Sequence, residues 1–133
     1  MLRNESKIRV RYAETDQMGF VYYGNYAQYF EIGRVAALKE VGLSYRSMEE
    51  NGFLLPVKSL KVNYIKAALY DDELTIVTEV RELPSNRIRF DYLILRDKEL
   101  LVEGETTLFF MTKEAKPCRP PQFFIDQLKP LFS

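Results

Sequence analysis

Histidine is absent from this 133-residue chain. Its absence removes every Ser-His-Asp and Cys-His arrangement and all histidine ligation of zinc. Any acid or base for chemistry must then be a carboxylate, a tyrosine, a lysine or a backbone group. Cysteine is nearly absent too: Cys118 stands alone, so no intrachain disulfide forms and a reducing, cytoplasmic setting is expected. With Pro120 and Pro121 close behind and no base to pair with, Cys118 reads as inert. Net charge is missing as well, since 19 basic and 19 acidic residues cancel, which argues against a nucleic-acid partner. The one basic cluster, Lys113, Lys116 and Arg119, reads as local. No apolar run approaches the roughly 20 residues of a membrane span, and the charged start MLRNESK lacks the apolar core of a signal peptide. Without repeats, linkers or low-complexity tracts, residues 1–133 read as one domain. A domain of this size buries roughly two thirds of its unfolded surface and needs no staples.

What is present is strong periodicity. In SKIRVRY, Ile8, Val10 and Tyr12 alternate with Lys7, Arg9 and Arg11, the pattern of a half-buried strand. From Asn25 the period changes. Tyr26, Tyr29, Phe30, Gly33, Ala37 and Val41 fall on one face of a helix at about 100° per residue. Asn25 is the expected N-cap, with Gln28 as its capping-box partner, and Gly42 is the expected C-terminal stop. The other face mixes Gln28, Glu31 and Arg34 with Val35 and Leu38, so this helix should be buried on more than one side. Ser44 is expected to open a short second helix that stops near Gly52. Four strands follow: Leu60, Val62 and Tyr64; Leu74, Ile76, Thr78 and Val80; Ile88, Phe90, Tyr92 and Ile94; then a long run from Leu100 to Met111. Asp71-Asp72, Pro84-Ser85-Asn86 and Asp97-Lys98 supply the turns. The segment PPQFFIDQLKPLF reads as a terminal helical turn or packed tail. The order is one strand, one long helix and four antiparallel strands. That predicts an α+β domain in which a five-stranded sheet curls around the helix. Its unpaired strand edges should be covered by pairing with a second copy.

The connection AETDQMGFVYYGNY, Ala13 to Tyr26, is 14 residues long and carries two carboxylates, two glycines and three tyrosines. Long loops of this kind are often functional. Asp16 has two readings: a loop carboxylate that binds backbone amides, or the acid, base or nucleophile of an active site. Glu14 reads as a solvent-facing or turn-capping residue. Glu31 is the second candidate acid, although Arg34 three residues on is a ready partner on the same helix face. Gly19 and Gly24 serve backbone geometry, and Tyr22 and Tyr23 read as packing or pocket walls.

The stretch YAETDQMGFVYYGNYAQYFEIGR resembles the signature of hotdog-fold acyl-CoA thioesterases of the 4-hydroxybenzoyl-CoA thioesterase type. LPVKSLKVNYIKAALYDDELTI is similar to the family's second strand and following turn, and RIRFDYLI and LVEGETTLFFM to its last two strands. The resemblance covers nearly the whole chain. It implies a five-stranded antiparallel sheet around a central helix, and dimers or tetramers with active sites at the subunit interface. It also implies hydrolysis of an acyl-CoA to a free acid and CoA. Asp16 takes the place of the family's catalytic carboxylate. Tyr23 or Gly24 takes the place of the residue whose backbone N–H faces the thioester carbonyl. Many members have histidine where this chain has Tyr23, and proline where it has Ala67. The Tyr23 departure is shared with the aromatic-acyl branch and bears on substrate class.

Coenzyme A ends in phosphates, so its site should offer basic or hydroxyl groups. Ser85, Asn86, Arg87 and Arg89 lie close together in PSNRIR and are candidates, with Lys58, Lys113 and Arg119 behind them. A solvated hairpin end is the competing reading. No motif implies a metal, a flavin or a nicotinamide. The alternative from another class is a non-catalytic module that binds an acyl-CoA or an acyl carrier protein on the same fold. A hotdog dehydratase fits less well, because such enzymes rely on a histidine.

Overall fold

Alternating side chains dictate the sheet, and the computed structural model describes it for residues 1–132. The elements are β1 (Leu2–Arg9), α1 (Tyr26–Glu40), α2 (Tyr45–Glu50), β2 (Phe53–Leu54), β3 (Val57–Tyr64), β4 (Glu73–Val80), β5 (Arg87–Arg96), β6 (Glu99–Phe109), β7 (Met111–Thr112) and α3 (Gln122–Leu128). Five strands form one antiparallel sheet in the order β1-β4-β5-β6-β3, and β2 pairs with β7 in a separate ribbon. Leu74, Ile76 and Val80 of β4, with Ile88, Phe90, Tyr92 and Ile94 of β5, point inward and are buried, as their alternation predicts.

The inner face is covered by α1, which packs chiefly on β1, β4 and β5. Close approach is possible because Gly33 has no side chain: a Cβ there would overlap Thr78 and Ile76 of β4. One turn earlier, the fully buried Phe30 stacks on Tyr92, with ring centroids 4.4 Å apart. Burial of such a ring contributes about 2–3 kcal/mol. The helix stops as predicted at Gly42. The Leu43 N–H bonds back to the Leu38 carbonyl at 2.9 Å and the Gly42 N–H to that of Lys39 at 3.0 Å, the paired arrangement of a Schellman ending. Ser44 then caps α2, accepting from the Ser47 N–H at 3.0 Å. At the far end, α3 buries Phe124 against Phe110 and so closes the core.

Several expectations are corrected. β1 begins at Leu2 and ends at Arg9, so Tyr12 lies outside it and is largely exposed. Asn4 and Ser6 occupy inward positions of β1, and these polar residues hid the alternation. Asn25 makes no capping bond. Its side-chain N–H₂ donates instead to the Glu14 carbonyl at 2.8 Å, and a 3₁₀ turn over Tyr23–Asn25 leads into α1. The expected Glu31–Arg34 pair is present but long, at 4.0 Å, and Arg34 is buried with its Nε donating to the Tyr45 hydroxyl at 2.7 Å. The reverse face of α1 is not fully covered, and Ile32 is 43% exposed. Finally, β3 is an edge strand beyond the main reach of α1, so Leu60 and Tyr64 point inward yet remain nearly half exposed.

Candidate active site

The β1–α1 connection is a built structure. Residues Tyr12–Glu14 make a 3₁₀ turn, and Thr15 and Val21 pair as an antiparallel bridge. Inside this small hairpin the Asp16 N–H donates to the Phe20 carbonyl at 2.8 Å, and the Gly19 N–H donates to the Asp16 carbonyl at 3.1 Å. The turn requires φ +79° at Gly19, a conformation that glycine adopts without steric cost. Asp16 Oδ1 accepts from the N–H groups of Met18 at 2.9 Å and Phe20 at 3.2 Å. Oδ2 accepts no bond among the described residues, and Asp16 is exposed. The reading of Asp16 as a loop carboxylate that binds backbone amides is met by Oδ1, while Oδ2 is left uncommitted among the described residues.

Glu14 caps the 3₁₀ turn, as one of its two sequence readings has it, and makes further bonds that the sequence does not show. Its Oε1 accepts from the Arg11 N–H and the Tyr29 hydroxyl, both at 2.9 Å, and its Oε2 accepts from Arg11 Nε at 3.1 Å and Nη2 at 3.0 Å. The Glu14 carbonyl accepts from the Tyr22 N–H at 2.9 Å and from Asn25 Nδ2 at 2.8 Å. One residue thus ties the hairpin to both the start and the second turn of the helix. Burial pushes its carboxyl pKa up, but the Arg11 N–H, the Tyr29 hydroxyl and the Arg11 guanidinium outweigh this and leave it below the ordinary value. The Tyr29 phenol is pushed up in turn, by burial and then by the carboxylate it faces. Arg11 and Glu14 three apart is a signal the sequence does carry; the Tyr29 contact has none.

At the helix start, the first local backbone donor is the Asn25 N–H, which reaches the Tyr22 carbonyl at 2.9 Å. The N–H groups of Tyr23 and Gly24 come before it and have no acceptor among the described residues. Such orphan donors at the positive end of a helix suit a developing negative charge. The Tyr22 ring lies over Gly24, where any added Cβ would meet it at 2.8 Å. The Tyr22 and Tyr23 rings sit 4.6 Å apart, and the Tyr64 hydroxyl donates to the Tyr23 carbonyl at 3.2 Å.

Comparison with known proteins agrees with this architecture. Residues 10–128 match the thioesterase-like superfamily. The chain belongs to that superfamily. YneP of Bacillus subtilis, itself named only as a candidate acyl-CoA thioesterase, is 34% identical over 90% of this chain and 86% of its own. The acyl-CoA thioesterase YbgC of Haemophilus influenzae is 34% identical over 71% of this chain and 70% of its own. Among solved structures, the DHNA-CoA thioesterase of Staphylococcus aureus superposes with a TM-score of 0.91 at 35% identity, covering 99% of this chain and 90% of that one. The resemblance to hotdog thioesterases and the α+β fold with its five-stranded sheet are both borne out.

In this thioesterase-like chain the remaining candidates do not gather around Asp16. Glu31 is exposed on the α1 face that carries Ile32, Val35 and Lys39. Ser85, Asn86 and Arg87 are exposed at the β4–β5 turn. Arg87 pairs with Phe109, and Val57 with Leu108, so Arg87 lies at the Val57 end of the sheet. Tyr64, beside the helix start, is at the other end of β3, about 20 Å away at the rise of a strand. Arg89 is held on the outer face by Asp91 and Glu105. By contrast, Lys58, Arg87 and Arg119 share an open cavity of about 600 Å³ with Asn86 and Cys118 and form no ion pair among the described residues. Asp16, Tyr23 and Gly24 are not among the residues that line this cavity. No helix among the described residues is long and apolar enough to cross a membrane.

Proposed function

We propose that this chain hydrolyses an acyl-CoA thioester to a carboxylic acid and CoA, with Asp16 supplying the chemistry. One observation carries the reading. A single hairpin and helix start hold a carboxylate with one uncommitted oxygen and two uncommitted backbone N–H groups. The N–H groups of Tyr23 and Gly24 polarise the thioester carbonyl and receive the negative charge as it becomes tetrahedral. Asp16 acts by one of two routes. As a nucleophile, its Oδ2 bonds to the carbonyl carbon and the CoA sulfur leaves with the bonding pair; water then cleaves the mixed anhydride. As a general base, it takes the proton of a water that adds to the same carbon, and the thiolate leaves. After a single turnover in ¹⁸O water, label in Asp16 marks the anhydride route. The carboxylate chemistry needs no cofactor, and a CoA substrate and a lone thiol suit the cytoplasm.

The site is completed by a second copy of the chain. β3 is an uncovered edge that exposes Val57, Leu60 and Tyr64, and such edges pair with other strands. Antiparallel pairing of two β3 strands about a two-fold axis reverses their ends. The partner's Lys58 and Arg87 then approach this chain's Tyr64 and helix start. The cationic cavity of one subunit thereby faces the Asp16 hairpin of the other, and Lys58, Arg87 and Arg119, aided by Ser85 and Asn86, take the CoA phosphates. Arg89 contributes least, because two carboxylates already neutralise it. Tyr22 and Tyr23 wall the acyl end.

Thiol release from a panel of aromatic and aliphatic acyl-CoAs tests the function and identifies the acyl group. Bound ligand recovered intact, with no thiol released, identifies the chain as a binding module instead.

A further inference from the structure

Tyr64 ends β3 and is 49% exposed. Its hydroxyl crosses 41 positions of sequence to reach the Tyr23 carbonyl. That carbonyl already accepts the N–H of Tyr26, so both its lone pairs are engaged. The phenol ring is held in place, with its centroid 5.5 Å from that of Tyr26 and 6.5 Å, edge-on, from that of Tyr23. A half-exposed phenol can be satisfied by water, and the helix-start carbonyl has its intrahelical donor. Neither group needs this bond for its own sake.

The Tyr23 carbonyl and the Gly24 N–H are the two ends of one planar, resonance-coupled peptide unit. A donor at the oxygen end draws density from the nitrogen and strengthens the N–H as a donor. It also fixes the plane in which that N–H points. We propose that Tyr64 is a positioning residue for the hydrolysis, orienting and polarising the Tyr23–Gly24 peptide so that the Gly24 N–H meets the oxyanion. This rests on the reading in which that N–H polarises the thioester. It also gives the edge strand β3 a second task beside subunit pairing.

Tyr64→Phe deletes the hydroxyl and keeps the ring. Complete loss of one oxyanion donor costs ~10²–10³ in kcat. Cooperative strengthening is ~10–30% of a bond; on the logarithmic scale, kcat should then fall about two- to eightfold. KM should change little, because the bond to the carbonyl oxygen is weak in the bound substrate and strengthens chiefly as charge develops in the transition state. A second readout is spectroscopic. The best substrate of the acyl-CoA panel, ¹³C-labelled at its carbonyl, is bound to Asp16→Asn with and without Tyr64→Phe. Its carbonyl stretch should move to higher frequency in the double variant. An unchanged kcat in Tyr64→Phe, or a lowered kcat with the stretch unmoved, overturns the role of Tyr64 while leaving the thioesterase reading intact. A wild-type chain that releases no thiol from any acyl-CoA overturns that reading, and the Tyr64 role with it.

Discussion

The Tyr29 hydroxyl donates to Glu14 Oε1 at 2.9 Å, joining the second turn of α1 to the hairpin that presents Asp16. Glu14 also holds Arg11, and its carbonyl holds Tyr22 and Asn25. The approach of the hairpin to the helix start is set by this one residue.

Glu14→Gln removes the charge from that joint. A hydrogen bond to a charged group contributes more than a neutral one, so the loss should be about 1–2 kcal/mol, or roughly 3–8 °C in Tm for a chain of this size. The pH dependence has a definite sign. The folded carboxyl has a lowered pKa, so its contribution is complete above the unfolded value near ~4.3 and is lost as pH falls through the folded value. Calorimetry should therefore find wild type and Glu14→Gln well separated at neutral pH and converging in acid. A gap that persists well below the folded pKa would show that the charge is not what Glu14 contributes.

Asp16→Asn keeps the shape and Oδ1 as an acceptor for Met18 and Phe20, but removes the base or nucleophile. kcat in the thiol-release assay should fall at least ~10²-fold with little change in substrate affinity. Glu31→Gln should keep wild-type kcat. Reversal of these two results would move the chemistry to the helix.

Tyr23→Phe and Gly24→Pro separate side chain from backbone. The Tyr23 hydroxyl has no assigned part in the chemistry, so Tyr23→Phe should hold kcat within a few-fold. Gly24→Pro deletes an orphan N–H and restricts Tyr23. It should lose ~10²–10³ in kcat while circular dichroism shows an intact fold. Equal damage in both variants would make the phenol a participant.

Subunit pairing is tested at Leu60, 45% exposed on β3. The chain should be a dimer or a dimer of dimers by light scattering at micromolar concentration. Leu60→Glu places two like charges at the two-fold interface and should yield a folded monomer with little activity. Full activity in a monomer would contradict a site shared between subunits.

Residues near one another in sequence carried much of the outcome. β4, β5 and β6 and the length of α1 were legible because a strand repeats its faces every two residues and a helix every 3.6. The Ala13–Tyr26 connection stood out as a candidate site because its glycines, aromatics and carboxylates form a contiguous motif, but the Thr15–Val21 pairing that makes it a hairpin did not. Where the inward face is polar, as at Asn4 and Ser6, periodicity had nothing to report, and β1 was drawn too far along the chain, from Ser6 to Tyr12 instead of Leu2 to Arg9. Asn25 read as a cap because its neighbours allow one; the Glu14 carbonyl, brought close only by folding, took its side chain instead. Arg34 read as the partner of Glu31 because the two stand three apart on one helix face; the Tyr45 hydroxyl that accepts from its Nε comes from another element. The bonds Tyr29–Glu14 and Tyr64–Tyr23 join elements 15 and 41 positions apart. No periodicity encodes such pairs. Which donors meet which acceptors depends on how the finished sheet and helix bring distant residues together.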